Sequence, residues 1–223
     1  MKTYNQWQSE VKFKYPFEGC EKISETHSQA YQDIFVLTLL NGKKSGEYFE
    51  IGCNLPDYTN NTYLLAKEFD WNGTSIDFLG NLESEWKRLR PKNRFVQCDA
   101  LTVNYEELIG KSRTIDYLQL DIEPCMNTLS ALMRIPHNLY RFAVISFETD
   151  VYLGQNGPYV REKSREFLSD LGYTLIIPDV IVDETNPYED WWVDLSLVDS
   201  SIALSIQTES KTTTHPFKLL LKY

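Results

Sequence analysis

Acidic residues recur just after short apolar runs along this chain, where each can meet a ligand. Glu50-Ile51-Gly52-Cys53-Asn54 closes the first run. Gly52 permits a tight turn and close approach of backbone to ligand. Glu50 can orient that loop or meet a ligand's ammonium group; an ordinary turn explains the same residues. Asp77 closes the second run. A carboxylate there can accept both ribose hydroxyls of an adenosine, or it is a solvated loop residue. Cys98-Asp99-Ala100 follows the third run. Asp99 can accept an adenine amino group while Ala100 leaves space, or it caps a helix or a turn. Asp121-Ile122-Glu123-Pro124 and Glu148 follow the fourth and fifth runs. Carboxylates gathered there repel, so one holds a proton or a cation bridges them, a divalent metal being one option. Either state suits general-base work on a hydroxyl. Glu123 can instead cap the helix that follows.

The elements that must deliver these residues alternate. Ala30, Ile34, Leu37 and Leu40 recur at helical spacing over 29–41, closed by Asn41-Gly42. Strands are predicted at 48–51, 74–77, 94–97, 115–120, 142–147 and 174–177. Between them lie helices over about 61–69, over a stretch with Leu82, Trp86 and Leu89 on one face, and over 105–109. Two more are marked by Leu129, Leu132 and Met133, and by inward-facing Val160, Phe167, Leu168 and Leu171 before Gly172. Such alternation with short connections predicts a mostly parallel sheet covered on both faces. Ligands of such sheets bind beyond the carboxyl ends of the strands.

Composition narrows the partners. The 223 residues suit one domain: an N-terminal arm (1–27), a main domain (28–207) and a C-terminal tail (208–223), whose Leu219-Leu220-Leu221 packs on the core or on a partner. A net charge of -10 counts against a phosphate-backbone surface, so no nucleic acid partner is expected. The basic cluster from Lys87 to Lys92 reads as favourable charge at a helix C-terminus. The four cysteines show no CxxC pair and read as reduced apolar residues. No apolar leader and no membrane-spanning run are visible, which predicts a soluble, cytoplasmic protein without a membrane partner. Oligomeric state is not encoded in any of these features.

Taken in order, several pieces resemble the FkbM-like S-adenosylmethionine (SAM)-dependent methyltransferases. Ser28-Gln29-Ala30-Tyr31-Gln32-Asp33 resembles that family's SQ-x-x-QD opening. Glu50-Ile51-Gly52, Asn61-Thr62, Trp71-Asn72-Gly73, Leu120-Asp121-Ile122-Glu123 and Tyr188-Glu189-Asp190-Trp191-Trp192-Val193 continue the match over roughly 28–200. The resemblance implies a Rossmann-like class I methyltransferase fold, α/β, with a mostly parallel seven-stranded sheet and helices on both faces. It implies SAM as cofactor and O-methylation of a hydroxyl on a sugar, glycan or small metabolite. Gly52 and its neighbours Glu50 and Cys53 would cradle the methionine portion, with Asn61 opening the first helix beside it. Asp77 would take the ribose, Asp99 and Ala100 the adenine, and Asp121 would face the methyl. Gln29, Gln32 or Asp33 would flank the site. Asp121, Glu123 and Glu148 are the candidate catalytic carboxylates.

Pro56 stands where the family has a second loop glycine, Asp77-Phe78 replaces Glu-Pro, and Pro124 and Met126 replace a Gly and a Glu. These departures motivate an alternative: a catalytically inactive binding or assembly module on the same fold. A nicotinamide oxidoreductase is weaker, because the first loop lacks G-x-G-x-x-G. One of Trp191 and Trp192 is expected in the core, since adjacent strand residues point to opposite faces; the other is a candidate for the substrate mouth. His137 is a candidate second base or a solvated loop histidine.

Overall fold

The computed structural model describes residues 12–154, 156–183, 185–209 and 215–222. In chain order the described elements are β1 (Lys12–Phe13), α1 (Gln32–Leu39), β2 (Glu47–Ile51), α2 (Tyr63–Phe69), β3 (Asn72–Asp77), α3 (Glu83–Leu89), β4 (Arg94–Gln97), α4 (Tyr105–Ile109) and β5 (Thr114–Leu120). There follow α5 (Cys125–Arg134), β6 (Arg141–Glu148), α6 (Gly157–Asp170), β7 (Thr174–Ile181), β8 (Pro187–Val193), α7 (Ser200–Ile206), α8 (Pro216–Leu220) and β9 (Leu221–Lys222). The stop signals work through backbone conformation. α1 ends where Asn41 (φ 49°) and Gly42 (φ 66°) turn left-handed, which continues no helix. Asn104 caps α4 by accepting the Glu106 N–H, and Asp199 caps α7 by accepting those of Ser201 and Ile202.

The main sheet has the order β4-β3-β2-β5-β6-β8-β7. Only β8 runs antiparallel to its neighbours β6 and β7. From β2 the chain winds outward to β4, then returns to place β5 on the other side of β2. That reversal opens a crevice beyond the ends of β2 and β5. Asp121 N–H donates to the Ile51 carbonyl at 2.9 Å, and Gly52 N–H to the Ile76 carbonyl at 2.9 Å, so three strands are tied where they end.

Alternation along each strand feeds two cores. Tyr48, Tyr117 and Trp191 face one, with α1, α2, α7 and α8. Phe49, Leu118, Phe147 and Trp192 face the other, with α4, α5 and α6. Both tryptophans are therefore core residues, and the mouth-lining role open to one of them is excluded by burial. Met133 lies in α5 as the spacing predicts but is exposed. His137 is neither a solvated loop histidine nor near the crevice. It packs edge-on against Phe142 and Phe167, with Nε2 bonded to the Leu132 carbonyl, and burial lowers its pKa. β1 pairs with β9, and Leu220 and Leu221 join the core with Phe17 and Ile23.

Arg90 departs most from its sequence reading. It does not project to solvent with the rest of the basic cluster. It is 3% exposed, stacks over Trp86 and Tyr48, and donates to Asn60, Thr62 and the Tyr48 hydroxyl.

Candidate active site

A cleft of about 300 Å³ lies over the carboxyl ends of β2, β3, β4 and β5, at the lower end of ligand-site volumes. Gly52, Ile76, Asp77, Phe78, Cys98, Asp99, Ala100, Leu101, Ile122, Glu123 and Asn127 line it. Five of the residues singled out from strand-end position thus share one wall: Gly52, Asp77, Asp99, Ala100 and Glu123. Gly52 is obligatory. Its φ is +79°, and a Cβ would stand 1.6 Å from the Asp121 carbonyl oxygen.

Asp77 and Asp99 are turn residues and cleft residues at once. Asp77 is buried; its oxygens accept the N–H groups of Asn54 at 2.7 Å and Leu79 at 2.8 Å. Each oxygen keeps a second lone pair for a ligand hydroxyl. Asp99 Oδ1 accepts the Leu101 N–H at 2.8 Å, which leaves Oδ2 for another donor. Phe78 presents an exposed ring beside Asp77. Phe78, Ile122 and Asn127 also line the cleft; being uncharged, they carry no strand-end carboxylate signal in the sequence.

Glu50 does not reach the cleft. It is buried beneath the loop after β2, accepting from Ser75 at 2.6 Å, Thr62 at 3.0 Å and Asn60 at 3.2 Å. Burial raises its pKa, and the Arg90 charge is the main opposing influence. Asn60 also donates to the Cys53 carbonyl, so Glu50 orients the loop, the first of its two sequence readings. Cys53 is buried and burial pushes its thiol pKa well up. Asn61 is buried with Oδ1 unpartnered, outside the cleft lining. Pro56 is buried in a loop that turns through positive φ at Asn54 and Thr59.

The SQ-x-x-QD segment folds back on itself. Asp33 accepts from the Ser28 hydroxyl at 2.6 Å and the Ile34 N–H at 2.8 Å. Gln32 reaches Glu189 at 2.8 Å, while Gln29 is exposed and absent from the cleft wall.

Asp121, just after β5, and Glu148, the last residue of β6, lie at the ends of adjacent parallel strands with their side chains close enough to share a proton. Burial raises both pKa values. Glu148 rises further, because the Asp121 charge opposes its ionisation, so Glu148 is the more readily protonated of the two. Glu189, paired with Glu148 in register, is pushed up to about 8 by burial. Glu123 is exposed and does not cap α5: Pro124 occupies the cap position, and Thr128 bonds the Ile122 backbone instead. Among the described residues, no group of three or more His, Cys, Asp or Glu is arranged to hold a metal ion. No described helix is long and apolar enough to cross a membrane.

No family model and no curated protein matches the chain. Solved structures do. A protein described as an rRNA methylase from Clostridium thermocellum is 15% identical with a TM-score of 0.54, over 77% of this chain and 97% of that one. One described as an O-methyltransferase from Klebsiella pneumoniae is 16% identical with a TM-score of 0.54, over 74% and 80%. Fibrillarin in its Nop5p complex is 12% identical with a TM-score of 0.53, over 86% and 97%. At these identities the likeness is one of fold. The chain has the Rossmann-like methyltransferase fold, α/β, with a mostly parallel seven-stranded sheet and helices on both faces.

Proposed function

We propose that this chain is a SAM-dependent methyltransferase, of the FkbM-like type its motifs resemble, acting on a hydroxyl of a sugar, glycan or other small molecule. The observation that carries the reading is the strand-end cleft itself, with Gly52, Asp77 and Asp99 on its wall. Asp121, outside that lining, directly precedes the lining residues Ile122 and Glu123 and feels the Asp77 charge. The residues fit the cofactor. Asp77 would hold the ribose, Asp99 and Ala100 the adenine, and the close backbone approach at Gly52 leaves space for the methionine portion. When bound, the cofactor supplies a methyl group on a positive sulfonium, which leaves as a neutral thioether when oxygen takes the methyl. Asp121 would accept the acceptor's hydroxyl proton. Glu148, by donating to Asp121, would orient that carboxylate toward the incoming hydroxyl.

The acidic surface supports a small acceptor rather than a phosphate backbone, which carboxylates at the mouth would repel. Four free cysteines suit a reducing, cytoplasmic setting.

Calorimetric titration with SAM and S-adenosylhomocysteine tests the reading. Asp77→Ala should weaken binding about 30-fold, the equivalent of ~2 kcal/mol for charge-assisted bonds lost. Asp121→Asn should retain binding and lose turnover. Absence of heat with both ligands would refute the proposal.

A further inference from the structure

Beside the Asp121–Glu148 pair lies a carboxylate that nothing among the described residues neutralises. Asp150 follows β6 in a left-handed conformation, φ 49°, and is 1% exposed. Neither of its carboxylate oxygens has a hydrogen-bond partner. Burial raises its pKa to about 6, and its charged neighbours, Glu123 and Asp121, add repulsion. The Tyr152 hydroxyl, on the half-exposed turn that follows, feels Asp150, Glu148, Glu123 and Asp121 together. No lysine or arginine figures among the influences on Asp121, Glu148, Asp150 or Tyr152. A buried unpaired carboxylate is costly unless a cation meets it.

Three cations can be compared. A coordinated metal needs closely set ligands, and no such group is arranged among the described residues. The cofactor's sulfonium has no N–H or O–H to donate, so it would leave both Asp150 oxygens unpaired. The cofactor's α-ammonium, on the methionine portion, belongs at the Gly52 turn in the methyl-transfer reading, and unchanged S-adenosylhomocysteine affinity in Asp150→Asn separates it from an acceptor's ammonium. An acceptor ammonium donates up to three bonds and sits well against an aromatic ring such as Tyr152.

We propose that the acceptor carries an ammonium group near the hydroxyl it presents, and that unpartnered Asp150, together with Glu123 and the Tyr152 ring, forms the site that holds it. The inference deepens the methyl-transfer reading and rests on it only for the role of Asp121. The acceptor class is thus an amino alcohol or amino sugar rather than a neutral polyol.

Saturation-transfer NMR on the S-adenosylhomocysteine-loaded protein, and on the protein alone, tests this with glucosamine against glucose as probes. Glucosamine should bind about tenfold more tightly, equivalent to ~1.4 kcal/mol. Asp150→Asn should reduce that preference at least threefold and leave S-adenosylhomocysteine affinity unchanged. Glu123→Gln alters an exposed side chain, so folding is not at risk, and it should reduce the preference likewise. Equal binding of the two sugars, or a preference that survives both substitutions, overturns the proposal. So does displacement of glucosamine by millimolar magnesium chloride but not by potassium chloride at equal ionic strength, which would make this a divalent-metal site. If S-adenosylhomocysteine fails to bind, the methyl-transfer reading falls, while the sugar comparison on the protein alone still reports on the cation site.

Discussion

Replacing Arg90 with methionine should be among the most damaging single changes outside the cleft. The guanidinium donates to Asn60 Oδ1 and Thr62 Oγ1 at 2.9 Å each and to the Tyr48 hydroxyl at 2.6 Å. Its centre lies 4.6 Å from the Trp86 ring centroid. It is also the charge that most offsets the burial of Glu50. Methionine fills part of the volume but removes the charge that offsets the burial of Glu50, leaving that carboxyl among neutral donors only. Arg90 does not touch Glu50 but shares Asn60 and Thr62 with it. Leaving those buried acceptors and the Tyr48 hydroxyl without their donor costs about 1–3 kcal/mol per unsatisfied group, against a typical total stability of about 5–15 kcal/mol. Urea denaturation should register a loss of that size at unchanged slope. The double variant Arg90→Met/Glu50→Gln removes both charges and should recover at least ~1 kcal/mol relative to additivity. S-adenosylhomocysteine affinity should fall in the single variant, because Asn60 holds the Cys53 carbonyl of the cleft loop. A loss below ~1 kcal/mol, or strict additivity in the cycle, would show that Glu50 does not depend on this guanidinium.

Gly52→Ala should abolish S-adenosylhomocysteine binding in calorimetry and destabilise the fold, since the new Cβ collides with the Asp121 carbonyl at a positive φ. Trp191 Nε1 donates to Glu189 at 2.6 Å, whereas Trp192 Nε1 has no partner. Trp191→Phe should therefore cost ~1–3 kcal/mol more in urea denaturation than Trp192→Phe, beyond the packing loss common to both. Glu189, with its pKa raised to about 8, binds its proton more tightly folded than unfolded. Its contribution is fully present below the unfolded value near 4.5 and is lost as pH rises toward 8. Stability measured over that window should decline with pH, and Glu189→Gln should flatten the decline.

Local signals placed most elements. The strand at Arg94–Gln97 and the helix at Tyr105–Ile109 have the bounds their spacing predicts, because apolar periodicity and flanking turn residues act over a few positions. Strand-end position also picked out Gly52, Asp77, Asp99, Ala100 and Glu123, which the parallel winding collects at one rim. Which carboxylates stay clear of that rim was not legible. Glu50 and Glu148 carry the same charge and follow similar runs, yet one is enclosed by Ser75, Thr62 and Asn60 and the other lies against Asp121.

The sequence alone settled the alternation of strand and helix, and with it the parallel sheet and the end of it where ligands gather, because these follow from the period of apolar residues and the chirality of short crossovers. Tertiary structure alone decided the partners of buried charge: Arg90 turned inward to Asn60, Thr62 and Tyr48 beside Glu50, Asp121 set against Glu148, and Asp150 without a counter-ion among the described residues. Those outcomes depend on contacts between segments far apart in the chain, where desolvation and distance fix each group's state and no local pattern records either.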